Sequence, residues 1–375
     1  MGGALRDRLL GLPVHDLDAV VAGHGREIAG RLAAGLPARL VLLGGKEFAA
    51  YRLVAGELTI DLWDRETMSL EADLARRDFT VNSFACDPRD AAVVDPFDGL
   101  GDLARRLLRA TTEKSFESDP LRVLRLPRLT LQLPGFAAEP RTLSLARAAA
   151  PRLGEIAAER VRDELARILA HPEAHRGVAL LIGLDLYPGL FLSRPGEPGS
   201  PGGALQELAA LPDALAALRE FAPQAAAKTD LLLARWAILL AHLPSPGDHL
   251  ATLRDAGYLA RRDAALIARL LDLPSIPTDE VGRRRFIHDM GPLWPTAALL
   301  HLARAGDVRD LIAMGERHGN ELVAPPRLLS GDEVQEILGL PPGPEIGRAL
   351  AAVEEAQIDG KVGSREEALA LLARR

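Results

Sequence analysis

Apolar residues follow two kinds of pattern along this chain, and the change from one to the other divides it. Within the first 110 residues, Arg39–Leu43 (RLVLL) and 57–62 (ELTIDL) are short, apolar or alternating, and bounded by glycine, which predicts strands. Residues 28–36 and 69–76 read as helices. From about Ser118 onward strand signals nearly vanish, and 141–149, 155–170 and 176–186 carry Leu, Ile and Ala at helical spacing. The stretch 194–203 (RPGEPGSPGG) is the strongest loop signal. More amphipathic helices follow, with breaks near 244–246, 274–277 and 325–326, and no repeat of solenoid period is evident. The pattern predicts a small α+β head on a long helical body.

Composition narrows this picture. A chain of 375 residues, 48% hydrophobic and 26% charged, suits two or three modules. Only 15 residues are aromatic, so the core must be built from Leu, Ala and Val, which favours packed helices over a β-sandwich. Cys86 is the single cysteine, which excludes a disulfide framework and a cysteine-based zinc site. No run of eighteen apolar residues occurs, and the N-terminus lacks a basic segment followed by an apolar one, so a soluble, cytoplasmic protein without membrane contact is expected. The net charge of −7 leaves room for a local basic groove. Of 45 basic residues 41 are Arg, for which a GC-rich coding bias is a better account than selection for guanidinium geometry.

Four segments carry candidate chemistry. The first joins Gly2, Gly3 and Arg6 to Asp16 and Asp18. On a strand, Asp16 and Asp18 share one side, and two adjacent carboxylates call for a neutralising divalent metal. A Gly-Gly turn exposes N–H groups that can approach a phosphate, and Arg6 adds a charged donor. Alone, an Asp-x-Asp on a solvated strand and a Gly-Gly turn are ordinary. The second segment, 73–83 (DLARRDFTVNS), runs from charge into Phe79, Val81 and Phe84, so its charges need partners; a buried Arg77–Asp78 pair would suit a ribose-triphosphate. The third, 95–103 (DPFDGLGDL), reads as a turn leading into a helix. In the fourth, 118–128 (SDPLRVLRLPR), Pro120 fits a first helical turn with Asp119 as N-cap. Arg122, Arg125 and Arg128 then share a face, and residues 105–128 hold seven basic against three acidic residues. That face is either solvated or an arginine wall for phosphates and base edges. Cys86 reads as core, and His288-Asp289 as a helix cap or surface pair.

Taken in this order, GGALRDRLLG, DLD, RRDFTVNSFA, DPFDGLGDL, SDPLRVLRLPR and ERVRDEL (159–165) resemble the class II tRNA nucleotidyltransferase (CCA-adding enzyme) and bacterial poly(A) polymerase family. The likeness is specific over residues 2–170 and weaker at 329–366. It implies a polymerase-β-like head with a mixed sheet and helices (1–112), then an all-α neck (113–172), body (173–272) and tail (273–375), the neck and tail binding nucleotide and tRNA. It further implies that Asp16 and Asp18 bind catalytic Mg²⁺, that Gly3, Arg6 and Arg77 hold the phosphates of CTP or ATP, and that Asp78 serves the ribose. Asp119 and Arg122 would face the incoming base, supported by Arg125 and Arg128. A third catalytic carboxylate is expected: Asp61 is the candidate, since Leu58, Ile60 and Leu62 occupy the opposite face, and Asp64 competes.

The chain departs from the family at three places. Met1 abuts Gly2 where the family has a strand and a helix, so the head is expected to lack its first strand and the start to be late or truncated. Ser118 replaces a usual Glu, and Pro127 should kink or end its helix one turn in. The expected activity is addition of CMP, AMP or both to the 3′ acceptor end of tRNA. The alternatives are a poly(A) polymerase, for which a basic C-terminal extension is expected where this chain has LLARR, and a non-catalytic RNA-binding relative. Only 57 residues separate Asp18 from Arg76, whereas relatives that complete the CCA triplet are longer there. The short connection favours CC addition; a short loop that is nonetheless mobile is the competing reading.

Overall fold

The computed structural model describes residues 1–43, 50–65, 68–186, 201–339 and 341–374. They form two compact units: Met1–Ile168 with the segment beginning at Arg176, and Leu169–His175 with the residues from Pro201 onward. Among the described residues no helix is long and apolar enough to cross a membrane.

The first unit opens with helix α1 (Gly3–Leu9), followed by β1 (Asp16–Val21), α2 (Gly25–Gly35), β2 (Arg39–Leu43), β3 (Ala50–Ala55) and β4 (Leu58–Asp64). The four strands make one mixed sheet in the order β1-β4-β3-β2. Strands β1 and β4 are parallel, with Asp16 opposite Thr59 and Asp18 opposite Asp61. The pairs β3–β4 and β2–β3 are antiparallel, and Arg52 of β3 faces Asp61. Alternation sorts the side chains to two faces. Tyr51, Leu53, Ile60 and Leu62 pack against Ala29, Ile28 and Leu32 of α2 on one face. Asp16, Asp18, Asp61, Arg52 and Trp63 therefore share the other.

The entrance to α2 explains the role of Asp64. Its carboxylate accepts from the Gly23 N–H (2.8 Å) and the Gly25 N–H (2.9 Å), taking up orphan donors at the helix start. A Cβ on Gly25 would lie 2.9 Å from the Asp64 Cβ and 3.1 Å from the Tyr51 ring, so only glycine lets the helix approach this closely. Asp64 thus holds the start of α2 while also lining a cleft in this unit.

Beyond the sheet come α3 (Leu70–Ala75), a 3-10 turn at Thr80–Asn82, α4 (Gly99–Arg105), α5 (Ser115–Ser118) and α6 (Arg122–Gln132). Helices α7 (Pro140–Ala149), α8 (Ala158–Ala170) and α9 (Ala174–Gly183) follow. Cys86 is half-buried in a two-residue strand paired with Val93, not in the core. Strand structure does recur after Ser118, as Ala137–Ala138 paired parallel to Leu107–Leu108.

Helix α6 corrects two expectations. It begins at Arg122, preceded by a tight turn in which the N–H groups of Arg122, Val123 and Leu124 reach the carbonyls of Asp119, Pro120 and Leu121. Leu121 takes the N-cap position, while the Asp119 carboxylate accepts from the Leu121 N–H (3.3 Å). Pro127 neither ends the helix nor sits at its margin: α6 runs on to Gln132 with Pro127 buried inside it. An interior proline costs about 3 kcal/mol. Val123, Leu124, Leu126, Leu129 and Leu131 are all buried by this helix, and at roughly 1.5–3 kcal/mol each they outweigh the penalty.

The second unit is helical. Residues 194–200 of the expected loop lie outside the described residues, and its last three instead begin the helix Pro201–Phe221, with proline in the first turn. Leu231–Ala241 (LLLARWAILLA) is buried continuously from Leu233 to Leu240, as a helix apolar on every side must be. Trp294 lies against Gly315 and Gly319 of the helix Arg309–Val323, where a Cβ at Gly315 would enter the indole. Near the C-terminus Leu329, Val334, Val353, Val362 and Leu372 form a separate core, with capping boxes at Ser330/Glu333 and Ser364/Glu367 fixing two of its helices. His288 sits in the last turn of Glu280–Met290 with Nδ1 2.8 Å from the Leu322 carbonyl, a structural contact between helices.

Candidate active site

The site begins at the first residues. Gly2 has φ 65° and its N–H reaches the Phe84 carbonyl at 3.2 Å. A Cβ there would collide with the Arg77 guanidinium, so the turn into α1 requires glycine both for its backbone and for the close approach. Arg77, thus admitted, lies 3.4 Å from the Asp18 carboxylate. Arg6, one turn into α1 and only 8% exposed, donates to Asn82 Oδ1 (2.5 Å) and to Asp7 Oδ1 (2.8 Å). Asn82 passes the link onward by donating to Asp78 Oδ1 at 2.9 Å.

Asp78 is buried, and its partner is Arg125 of α6 (2.9 Å), not the adjacent Arg77. Burial alone would raise its carboxyl. The Arg125 guanidinium, with hydrogen bonds from Asn82 and the Phe79 N–H, holds it below the ordinary carboxylate range. Arg122 donates to the carbonyls of Arg76, Arg77 and Ser115 and to Ser118 Oγ, joining α6 to the segment that carries Arg77. Arg128 lies 2.6 Å from Glu164 of α8. Burial pulls the Arg122 and Arg128 guanidinium groups downward from their usual value, which for arginine leaves the charge in place.

These residues surround a cleft of about 1180 Å³. Of the candidates drawn from the sequence, Gly3, Arg6, Asp18, Arg77, Asp78, Arg122, Arg125 and Arg128 line it. Seven arginines face four aspartates there, a balance suited to a polyanion. Three candidates lie elsewhere. Asp16 is exposed on β1, two residues before Asp18 on the same face. Asp61 stands opposite Asp18 and is gripped by Arg52 through two hydrogen bonds of 2.7 and 2.6 Å. Asp119 binds Arg160 at 3.0 Å in a second cavity of about 580 Å³, which Arg76 and Arg122 also line. Among the described residues no three acidic, His or Cys side chains converge on one point.

Two groups escaped sequence reasoning. Glu164 lies within ERVRDEL, but only the fold brings it to Arg128. Asp102, fully buried, accepts from Thr80 Oγ1 (2.6 Å), Arg105 (2.8 Å) and Arg109 (2.8 Å), anchoring the 80–82 turn that presents Asn82. The signal was its place in DPFDGLGDL, a motif that read only as a turn into a helix.

Carboxylates on an open mixed sheet beneath an arginine-lined cleft define a nucleotidyltransferase-type head. Comparison with known proteins agrees: residues 1–109 match the family described as "Poly A polymerase head domain", and 135–196 match "Probable RNA and SrmB- binding site of polymerase A". The A-adding tRNA nucleotidyltransferase of Deinococcus radiodurans is 34% identical over 100% of this chain and 94% of its own. The CC-adding tRNA nucleotidyltransferase of Thermus thermophilus is 35% identical over 99% of this chain and 92% of its own. A solved CCA-adding enzyme in an apo form superposes with a TM-score of 0.76 at 24% identity, covering 100% of this chain and 89% of that one. The chain belongs to the class II tRNA nucleotidyltransferase family.

Proposed function

We propose that this chain transfers nucleotidyl groups to the 3′ end of tRNA, using CTP in preference to ATP, and that two cytidines are its normal product. The observation that carries the reading is the cleft: seven arginines line it together with Asp18, on a strand that also presents Asp16. The likeness to tRNA nucleotidyltransferases along nearly the whole chain supports the tRNA 3′ end as acceptor.

In this reading the RNA 3′-hydroxyl oxygen forms a bond to the α-phosphorus while the bond to pyrophosphate breaks. Asp16 and Asp18 suit Mg²⁺, being two hard oxygen donors on one strand face that leave positions for water and phosphate oxygens. When bound there, the ion supplies charge neutralisation and acidifies the attacking hydroxyl. Asp61, in register with Asp18 and held by Arg52, is the candidate third carboxylate on this face. Gly3, Arg6 and Arg77 hold the triphosphate, and Asp78 acts on the ribose from behind Asn82 and Arg125. Asp119 and Arg122 read the base edge, with Arg125 and Arg128 as support. Residues 1–112 serve as head, 113–172 as neck, 173–272 as body and 273–375 as the tail that holds tRNA.

Chain length supports the CC product. Only five residues join β4 to α3, leaving little chain to reshape the pocket between a pyrimidine and a purine. The test is product length: with tRNA ending at the discriminator base and both CTP and ATP supplied, a two-nucleotide extension is expected. A three-nucleotide extension rejects the CC assignment.

A further inference from the structure

The chain contains three tryptophans, and they are treated differently. Trp236 and Trp294 are 3% and 4% exposed within the second unit, whereas Trp63 is 42% exposed. Trp63 stands on β4 two residues beyond Asp61, so the two project from one face of the sheet, roughly 7 Å apart along the strand. Its register neighbours are Val20 on β1 and Ala50 on β3, short side chains that leave much of the indole uncovered. It lines the arginine-rich cleft together with Arg65 and Met68. A large flat apolar group left open inside a charged cleft suits a nucleobase, since stacking on an aromatic ring uses a π-face that every base has.

Two bases enter this reaction, and the geometry separates them. Arg77 meets Asp18, Arg6 is tied to Asn82 of the 80–82 turn, and Arg122 and Arg125 line the same cleft from α6. That side is suited to the triphosphate and its base. The attacking hydroxyl must arrive roughly in line with the departing pyrophosphate, hence from across Asp18, where β4 presents Asp61 and then Trp63. We propose that the Trp63 indole is the stacking platform for the 3′-terminal base of the acceptor RNA. A platform that binds by stacking, without reading base edges, also fits an acceptor whose last base changes after each addition. The inference rests on the proposed transfer to tRNA.

Two measurements test it. In steady-state assays with tRNA lacking its CCA end, Trp63→Ala is expected to raise the KM for tRNA by about tenfold, consistent with the loss of one base–aromatic stack. The KM for CTP should stay put, and Trp63→Phe should restore most of the loss. In binding assays without nucleotide, a short single-stranded RNA should quench the fluorescence of the wild-type protein and leave that of Trp63→Phe unquenched. An unchanged KM for tRNA in Trp63→Ala overturns the proposal. So does a rise confined to the KM for CTP, or quenching by CTP and not by RNA, either of which assigns the indole to the incoming base. Should the wild-type protein quench with RNA but transfer no nucleotide, the platform stands and the proposed reaction falls.

Discussion

The two units bury different chemistry. Among the described residues the first hides ten polar or charged side chains, including Arg6, Asp78, Asp102 and Glu164, while the second hides three, Arg235, His249 and Thr296. Burying a charge is unfavourable unless partners satisfy it, so the first unit carries a liability that packing alone does not require. Each charge is accounted for: Arg6 by Asn82 and Asp7, Asp78 by Arg125, Asp102 by three donors, Glu164 by Arg128. Together they fix the walls of one cleft. The second unit is held by apolar burial, as in Leu231–Ala241. Removing a buried charge from the first unit should therefore injure function along with stability, and disturbing the apolar packing inside the second should injure stability alone.

The largest expected effect is at the strand carboxylates. Asp18→Ala should lower the single-turnover rate of nucleotide addition by about a thousandfold or more while the folded circular-dichroism spectrum persists. Residual activity within tenfold of wild type would remove Asp18 from the site. Next, Asp102→Ala strips Thr80 and Arg109 of their shared partner. A loss of about 2–3 kcal/mol in urea unfolding is expected, discounted because the arginines are partly exposed, together with weaker nucleotide binding. Gly315→Ala sharpens the contrast. It forces a methyl group into the Trp294 indole and should cost about 1–3 kcal/mol with kcat/KM unaltered, measured well below Tm.

The smallest effect is an acid limb. Because the Asp78 carboxyl is held below its ordinary value, the folded state binds fewer protons than the unfolded one as pH falls below about 4. Its contribution is complete at neutral pH and is lost as pH drops through the folded value. Stability curves for the wild type and Asp78→Asn should accordingly converge in acid; parallel curves would show that the Arg125 contact contributes nothing.

The sequence was most legible where chemistry follows a short period. Asp16 and Asp18 at strand spacing, and arginines at every third position of α6, needed only local geometry to share a face. What depends on register was hidden. Strand β3 went unassigned, and with it the Arg52 that grips Asp61; no local pattern in AYRLVA says which strand it pairs with. Asp64 competed with Asp61 for the third carboxylate, and nothing local announced that the fold would deliver the Gly23 and Gly25 N–H groups to it. Asp78 was paired by proximity with Arg77, whereas the fold gave it Arg125, 47 residues away in the chain. The possibility that Pro127 ends its helix failed because local propensity counted and the five apolar residues buried by this helix did not.

The most direct test supplies the purified protein with tRNA lacking its CCA end, Mg²⁺ and one labelled nucleoside triphosphate at a time. Label from CTP is expected at the tRNA 3′ end, with little from ATP, and none from either when Asp16 and Asp18 are both replaced by Ala. Absence of label from CTP in the wild type, or equal labelling by the double variant, would contradict the proposed transfer.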